Sequence, residues 1–185
     1  EEDIFNAAKF ALAGGIKSLK LYGMVGLPHE KDEDIDQTIE LLTKLKQENK
    51  ALKIIWGCSV FTPKAQTPFQ DYGIDQSAEK KLKKIIKALR PLGIEVREES
   101  YKWAQVQALI SRGDRSLSDV FLKIWQSKKT GFGIYKKMLD PKDYKHFVFD
   151  DWTKLDDYEY PWQILVDEKQ EKVLEEHKQD ALSKS

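Results

Sequence analysis

The sequence predicts an α/β fold: about three parallel strands of an incomplete β/α barrel, followed by a mainly α-helical C-terminal region. Three observations carry this. Apolar strand-like runs alternate with amphipathic helical runs up to about residue 100. Their connections are short enough for parallel strands joined by right-handed crossovers. From about Trp103 onward strand-like runs give way to helical stripes. The alternation stops too early for a complete doubly wound sheet or an eight-stranded barrel, and the expected division is residues 1–100 and 101–185.

Residues 2–13 read as a helix, with Ile4, Ala7, Ala8 and Ala11 at helical spacing and Gly14-Gly15 closing it. An initial residue other than Met, falling inside a helical pattern, predicts an excised piece of a longer chain. The run 18–27 alternates Leu19, Leu21, Gly23 and Val25 with Lys20, Tyr22, Met24 and Gly26, giving a strand with one aliphatic and one mixed face. Pro28 stops it. Asp32 is the expected N-cap of a helix through about Gln47, with Ile35, Ile39, Leu42 and Leu45 on one stripe and Glu33 and Asp34 at the positive end of its dipole.

The run 52–61 predicts a second strand, apolar enough to be buried on both faces. Prolines at 63 and 68 make 62–70 a loop, and 76–89 then forms a helix with Leu82, Ile85, Ile86 and Leu89 inward. Gly93 ends that helix and 94–97 is a short third strand. Beyond it, Val106, Leu109 and Ile110 mark one helix, and Leu117, Val120, Phe121, Ile124 and Trp125 another. Ser111–Ser116 reads as the break between them, with Asp114 or Ser116 as the next cap. Residues 134–139 resume a helical pattern, 147–161 are aromatic and acidic without periodicity, and 167–185 form a charged helix with Val173, Leu174 and Leu182 as its thin apolar content.

The 31 basic and 31 acidic side chains cancel, and the Lys-rich run Glu79–Lys84 reads as the wet face of a helix, so nucleic acid is excluded as a partner class. The single cysteine, Cys58, lies within a strand and reads as a small core residue. It rules out an internal disulfide, a thiolate cluster or a thiolate zinc site built within this chain, and with the lack of a signal peptide predicts a cytoplasmic protein. No apolar run approaches membrane-spanning length, so no membrane association is expected.

Parallel α/β folds carry their sites where strands hand over to loops, which singles out 26–30 and 61–70. Gly23 and Gly26 in or beside a strand read either as close approach of a ligand or another backbone, or as relief of crowding. Glu30 and Lys64 stand where a ligand could meet them, though a surface turn explains either charge alone. Asp32, Asp34 and Asp36 imitate a calcium loop, but Gln37 and Thr43 replace the residues its geometry requires, leaving helix-start electrostatics. His29, His146 and His177 lie too far apart to form a paired-ligand motif, so no metal site is expected. The five tryptophans read as core or as a seam between domains.

Two segments carry a resemblance. Lys20–Glu30, continuing into Asp32-Glu33-Asp34-Ile35, resembles the strand-and-helix unit late in the radical SAM barrel, where a Gly-x-Pro-Gly-Glu-Thr turn follows the strand; His29 and Lys31 depart from that Gly and Thr. Val60–Gln70 resembles the Pro-Lys-x-x-Thr-Pro-Phe-Gln end of the next barrel strand. Downstream, Ala108–Leu117, Leu139-Asp140-Pro141 with Tyr144, and Tyr160-Pro161-Trp162 fall in the order seen in a radical SAM subgroup usually preceded by a cobalamin-binding-type domain.

The resemblance implies a parent enzyme that binds a 4Fe-4S cluster through CxxxCxxC, cleaves S-adenosylmethionine reductively, and in some members uses cobalamin. That motif is absent here, so the chain alone is expected to be inactive. The resemblance assigns the cofactor side to Tyr22, Met24, Gly26, Pro28, Glu30, Phe61 and Pro63, names no catalytic residue, and implies as partners the rest of the barrel and an unidentified substrate. A cut barrel leaves an open strand edge, so self-association of the isolated chain is also expected. The competing reading is a non-enzymatic α/β interaction module that binds a protein partner.

Overall fold

The computed structural model describes residues 1–155, 158–165 and 167–183. These divide into two compact units, Glu1–Val60 with Ser77–Ser100, and Phe61–Gln76 with Tyr101–Ser185. Phe61–Gln76, assigned from the sequence to the 1–100 region, clusters instead with the helical residues. The reason is local bonding: Ile74 N–H donates to Val148 O at 2.8 Å, and Trp152 N–H donates to Asp71 O at 2.8 Å.

The first unit runs α1 (Glu2–Ala13), β1 (Ser18–Val25), α2 (Asp32–Glu48), β2 (Lys53–Val60), α3 (Ala78–Leu89) and β3 (Glu95–Glu98). The strands form one parallel sheet in the order β1-β2-β3, with Ser18 beside Lys53, Val25 beside Val60, and Ile55 beside Glu95. Consecutive order with right-handed crossovers puts α2 and α3 on the same face of the sheet. The two helices pack against each other, and Lys84 Nζ lies 2.6 Å from Asp36 Oδ1. Ile35, Leu42 and Leu45 of α2 and Leu82, Ile85 and Leu89 of α3 are buried with Ile54, Trp56, Cys58, Val60 and Val96 of the sheet. Burying a side chain of this size stabilises by about 1.5–3 kcal/mol, so this layer is the main cohesive element of the unit.

Two local expectations are corrected. The cap of α2 is Lys31 rather than Asp32, because Asp34, three residues on, accepts the Lys31 N–H at 2.7 Å. β2 is buried on one face only: Ile54, Trp56, Cys58 and Val60 are buried, while Ile55, Gly57 and Ser59 are half-buried on the face opposite the helices.

The second unit contains α4 (Tyr101–Arg112), α5 (Ser118–Gln126), α6 (Gly133–Met138), α7 (Pro141–Val148) and α8 (Glu168–Ser183), linked in part by 3₁₀ turns. Asp114 begins the turn before α5 by accepting Ser116 N–H at 2.8 Å, and Asp140 caps α7 by accepting Lys142 N–H at 2.8 Å, with Pro141 in the first turn. Its core centres on Trp152, 1% exposed, which stacks on His146 at 5.2 Å and on Trp162 at 6.2 Å. Trp103 and Trp125, expected in a core or seam, are instead 43% and 75% exposed.

Gly73 shows how closely this core is filled, since a Cβ there would lie 2.2 Å from Phe149 O. That contact is with backbone and has no rotamer to yield. Gly73→Ala is expected to cost about 1–3 kcal/mol in urea unfolding, and an unchanged midpoint would show that the loop moves aside freely.

Candidate functional site

The face of the sheet opposite α2 and α3 is built from every second residue of each strand. The register aligns Lys20, Tyr22 and Met24 of β1 with Ile55, Gly57 and Ser59 of β2, and Ile55 and Gly57 with Glu95 and Arg97 of β3. It is polar and open: Tyr22 is 79% and Met24 45% exposed. Lys20 Nζ stands 4.6 Å over the Tyr22 ring. A Cβ at Gly57 would sit 3.4 Å from that ring, in ordinary van der Waals contact. Gly23 points to the opposite face, where a Cβ would come within 2.6 Å of the Trp56 indole. This strand glycine therefore accommodates a core tryptophan.

The turn after β1 is fixed from within. Gly26 and His29 both adopt the left-handed backbone region, at φ 79° and 64°. His29 thus takes, without being glycine, a conformation that glycine adopts most readily. Gly26 N–H donates to Glu30 Oε2 at 2.7 Å, and the same oxygen lies 3.0 Å from Lys81 Nζ of α3. Lys81 also donates to Glu30 O at 2.9 Å, and the two side chains are only 9% and 8% exposed. Glu30 is thus a buried tie between this turn and α3, with its carboxylate occupied by protein donors.

Of the residues assigned from sequence, Tyr22, Met24, Gly26, Pro28 and Glu30 lie together on β1 and its turn, and Tyr22 and Met24 present exposed side chains to the open face. Phe61 and Pro63 are buried and belong to the second unit, where Phe61 meets Phe69 edge to face at 6.3 Å. Lys64 Nζ donates to Ser111 Oγ at 3.0 Å. Cys58 is 1% exposed on the helix-covered face of β2, so the chain's one thiol offers no ligand to a cluster.

Burial, reinforced by Glu30, Glu99 and Glu98, pushes the Cys58 thiol from its ordinary 9.0 up to about 12. The unfolded chain ionises first, so this contribution is complete below pH 9 and is lost as the pH rises toward 12. Relative to Cys58→Ala, the natural chain is expected to lose about 1 kcal/mol more stability between pH 8 and 10. Parallel pH profiles in urea unfolding would refute this.

Sequence reasoning missed a second polar centre, in the helical unit. Asp71, 7% exposed, accepts from Tyr160 Oη at 2.5 Å and from Lys178 Nζ at 2.6 Å, beside a cavity of about 230 Å³ also lined by Gln70 and Glu175. Burial and the Asp71 hydrogen bond both raise the Tyr160 hydroxyl pKa. At Lys178, burial is the largest single influence and lowers the pKa, but the Asp71 hydrogen bond and the negative charges of Asp71 and Glu175 together outweigh it, leaving a net rise. Among the described residues no group of histidine, cysteine and carboxylate side chains is arranged to hold a metal ion, and no helix is long and apolar enough to cross a membrane.

The chain is 41% identical over 118 residues to an uncharacterized protein of Methanocaldococcus jannaschii, a match covering 64% of this chain and 26% of that protein. The chain thus spans about a quarter of the length of that relative. No protein-family profile and no solved structure matches the chain.

Proposed function

We propose that the chain is the C-terminal part of a cytoplasmic radical SAM enzyme, with the first unit forming one side of a β/α barrel and the second a helical extension. The observation that carries this reading is a parallel sheet with its crossover helices on one face and a polar face opposite. A doubly wound sheet is covered on both faces, whereas a barrel turns one face inward. The order of the motifs around Pro28, Pro63, Asp114 and Pro161 supports it, as does similarity to a protein about four times longer than the matched stretch.

In this reading Lys20, Tyr22 and Met24 face the lumen and bound S-adenosylmethionine, which supplies a 5′-deoxyadenosyl radical when reductively cleaved. The residues of this chain do not fit the 4Fe-4S cluster, because their one thiol is buried, so the cluster ligands and any cobalamin site belong to the rest of the parent. The role of this chain is to shape and line the cofactor chamber, while Glu30 and Lys81 hold the turn at its rim.

The full-length protein, reconstituted under anaerobic conditions, is expected to hold about four irons and four sulfides per chain and to release 5′-deoxyadenosine from S-adenosylmethionine on reduction. A full-length protein without CxxxCxxC, or one that yields no such product, overturns the reading. β1 and β3 are the edge strands, so the isolated chain is expected to self-associate through them. A strictly monomeric species in sedimentation at all concentrations counts against an interrupted barrel.

A further inference from the structure

The helical unit carries a groove that the proposed cofactor chemistry does not use. Trp103 of α4, Phe121, Ile124 and Trp125 of α5, and Tyr135 of α6 line a cavity of about 590 Å³, with Lys128 and Lys129 among its lining residues. Its apolar walls are exposed: Trp125 is 75% and Trp103 43% open, and the neighbouring Leu122 is 50% open. Large apolar side chains clustered on a concave surface and flanked by charge mark a binding surface rather than scattered exposure.

The groove lies in a stretch rich in cations. In a protein with no net charge, residues 115–137 carry Arg115, Lys123, Lys128, Lys129, Lys136 and Lys137 against the single carboxylate of Asp119. Some lysines elsewhere are paired, as at Lys44–Glu40, Lys53–Glu95, Lys84–Asp36 and Lys178–Asp71. Among the described residues, Lys123, Lys128, Lys129 and Lys137 have no carboxylate partner. Cations beside exposed apolar walls complement a ligand that is both acidic and apolar.

We infer that this groove binds an acidic amphipathic segment of a partner protein, whose aliphatic or aromatic side chains enter between Trp103 and Trp125 while its carboxylates meet Lys128 and Lys129. The concave shape favours side-chain anchors over a flat membrane surface. The Trp103 and Tyr135 rings meet edge to face at 6.1 Å and 79°, so they do not form parallel platforms for stacked bases. Lys128 also holds the left-handed position after α5, at φ 54°, with its N–H donated to Trp125 O at 3.1 Å.

The test uses the 185-residue chain and a fluorescein-labelled peptide of about 18 residues, with leucine and phenylalanine at helical i, i+3, i+4 spacing and Asp and Glu elsewhere. Anisotropy is expected to give micromolar affinity, at least about tenfold weaker for a scrambled peptide of the same composition. It should weaken about tenfold as sodium chloride rises from about 50 to 500 mM. Trp125→Ala and the pair Lys128→Asn with Lys129→Glu should each weaken it by about tenfold. Asparagine tolerates the left-handed backbone at position 128, and circular dichroism of each variant would report a retained fold. The inference is overturned by no binding at about millimolar chain, by equal affinity for the scrambled peptide, or by variants that bind as the natural chain does. Tighter binding of an oligothymidylate or of phosphatidylserine vesicles, lost in the same variants, overturns it in favour of nucleic acid or a membrane surface. None of these outcomes depends on cluster or S-adenosylmethionine chemistry.

Discussion

Arg112→Ala is expected to destabilise the helical unit by about 3–5 kcal/mol. The guanidinium is fully buried, lies 3.6 Å from the Trp152 ring centre, and donates through one nitrogen to Asp71 O at 3.3 Å and Asp150 O at 2.8 Å. Among the described residues its Nε and other terminal nitrogen meet no acceptor. Burial pushes it down to about 10, so it stays charged at neutral pH. The nearby Asp71 carboxylate is already engaged by Tyr160 and Lys178. Arg112 therefore stabilises by filling space against Trp152 and joining Asp71 of the loop to Asp150, rather than through an ion pair. Alanine would leave a cavity beside the indole and remove a donor from the Asp150 carbonyl. Methionine fills much of that volume without a charge to desolvate, so Arg112→Met should cost about 1–2 kcal/mol, less than alanine. Tryptophan fluorescence in urea reads both variants. An alanine cost below about 1 kcal/mol would show that Arg112 contributes little to the unit, and a methionine variant no more stable than alanine would show that the guanidinium and its hydrogen bonds, rather than filled volume, hold it together.

Arg112 also shows where the sequence ceased to be legible. In Ser111-Arg112-Gly113 it read as part of a break between helices, yet α4 continues through Arg112 and its partners lie 38 and 41 residues away. The parallel sheet was legible because alternation in β1 and helical stripes in α2 and α3 are set by neighbours in sequence, where periodicity records burial. β2 was legible as a strand but not in its exposure. Ile54, Trp56, Cys58 and Val60 fix the covered face, whereas Ile55, Gly57 and Ser59 differ only in having no helix above them. The aromatic cluster of His146, Trp152, Tyr160 and Trp162 has no period at all, since ring contacts across turns follow no fixed spacing. Of the candidate site, the strand ends and the exposed Tyr22 and Met24 could be located in advance, because β1 alternation puts them on its polar face. That the Glu30 carboxylate is already occupied could not be, because Lys81 lies in a run that reads as solvated and meets it across 51 residues.

That tie carries the other large effect. Glu30→Ala or Lys81→Ala is expected to cost about 3–5 kcal/mol, because each removes one member of a buried ion pair. The site is dry, with side-chain exposures of 8% and 9%, so solvent screening does not rescue the remaining ion as it would at the open Lys83–Glu79 pair, where exposures are 69% and 47%. Glu30 loses more than its ion pair, since Gly26 N–H also depends on its Oε2. Glu30→Gln keeps an acceptor for Gly26 and should fall between the natural chain and Glu30→Ala. The double variant Glu30→Leu with Lys81→Met should recover most of the loss, because apolar side chains of similar volume replace both members of the buried ion pair. A double-mutant cycle in urea unfolding therefore separates a pair that locks the turn from one that merely fills space. Coupling near zero would mean that the left-handed residues at 26 and 29 hold the turn without it, while strong coupling would place the rigidity of the β1 rim in one ionic contact with α3.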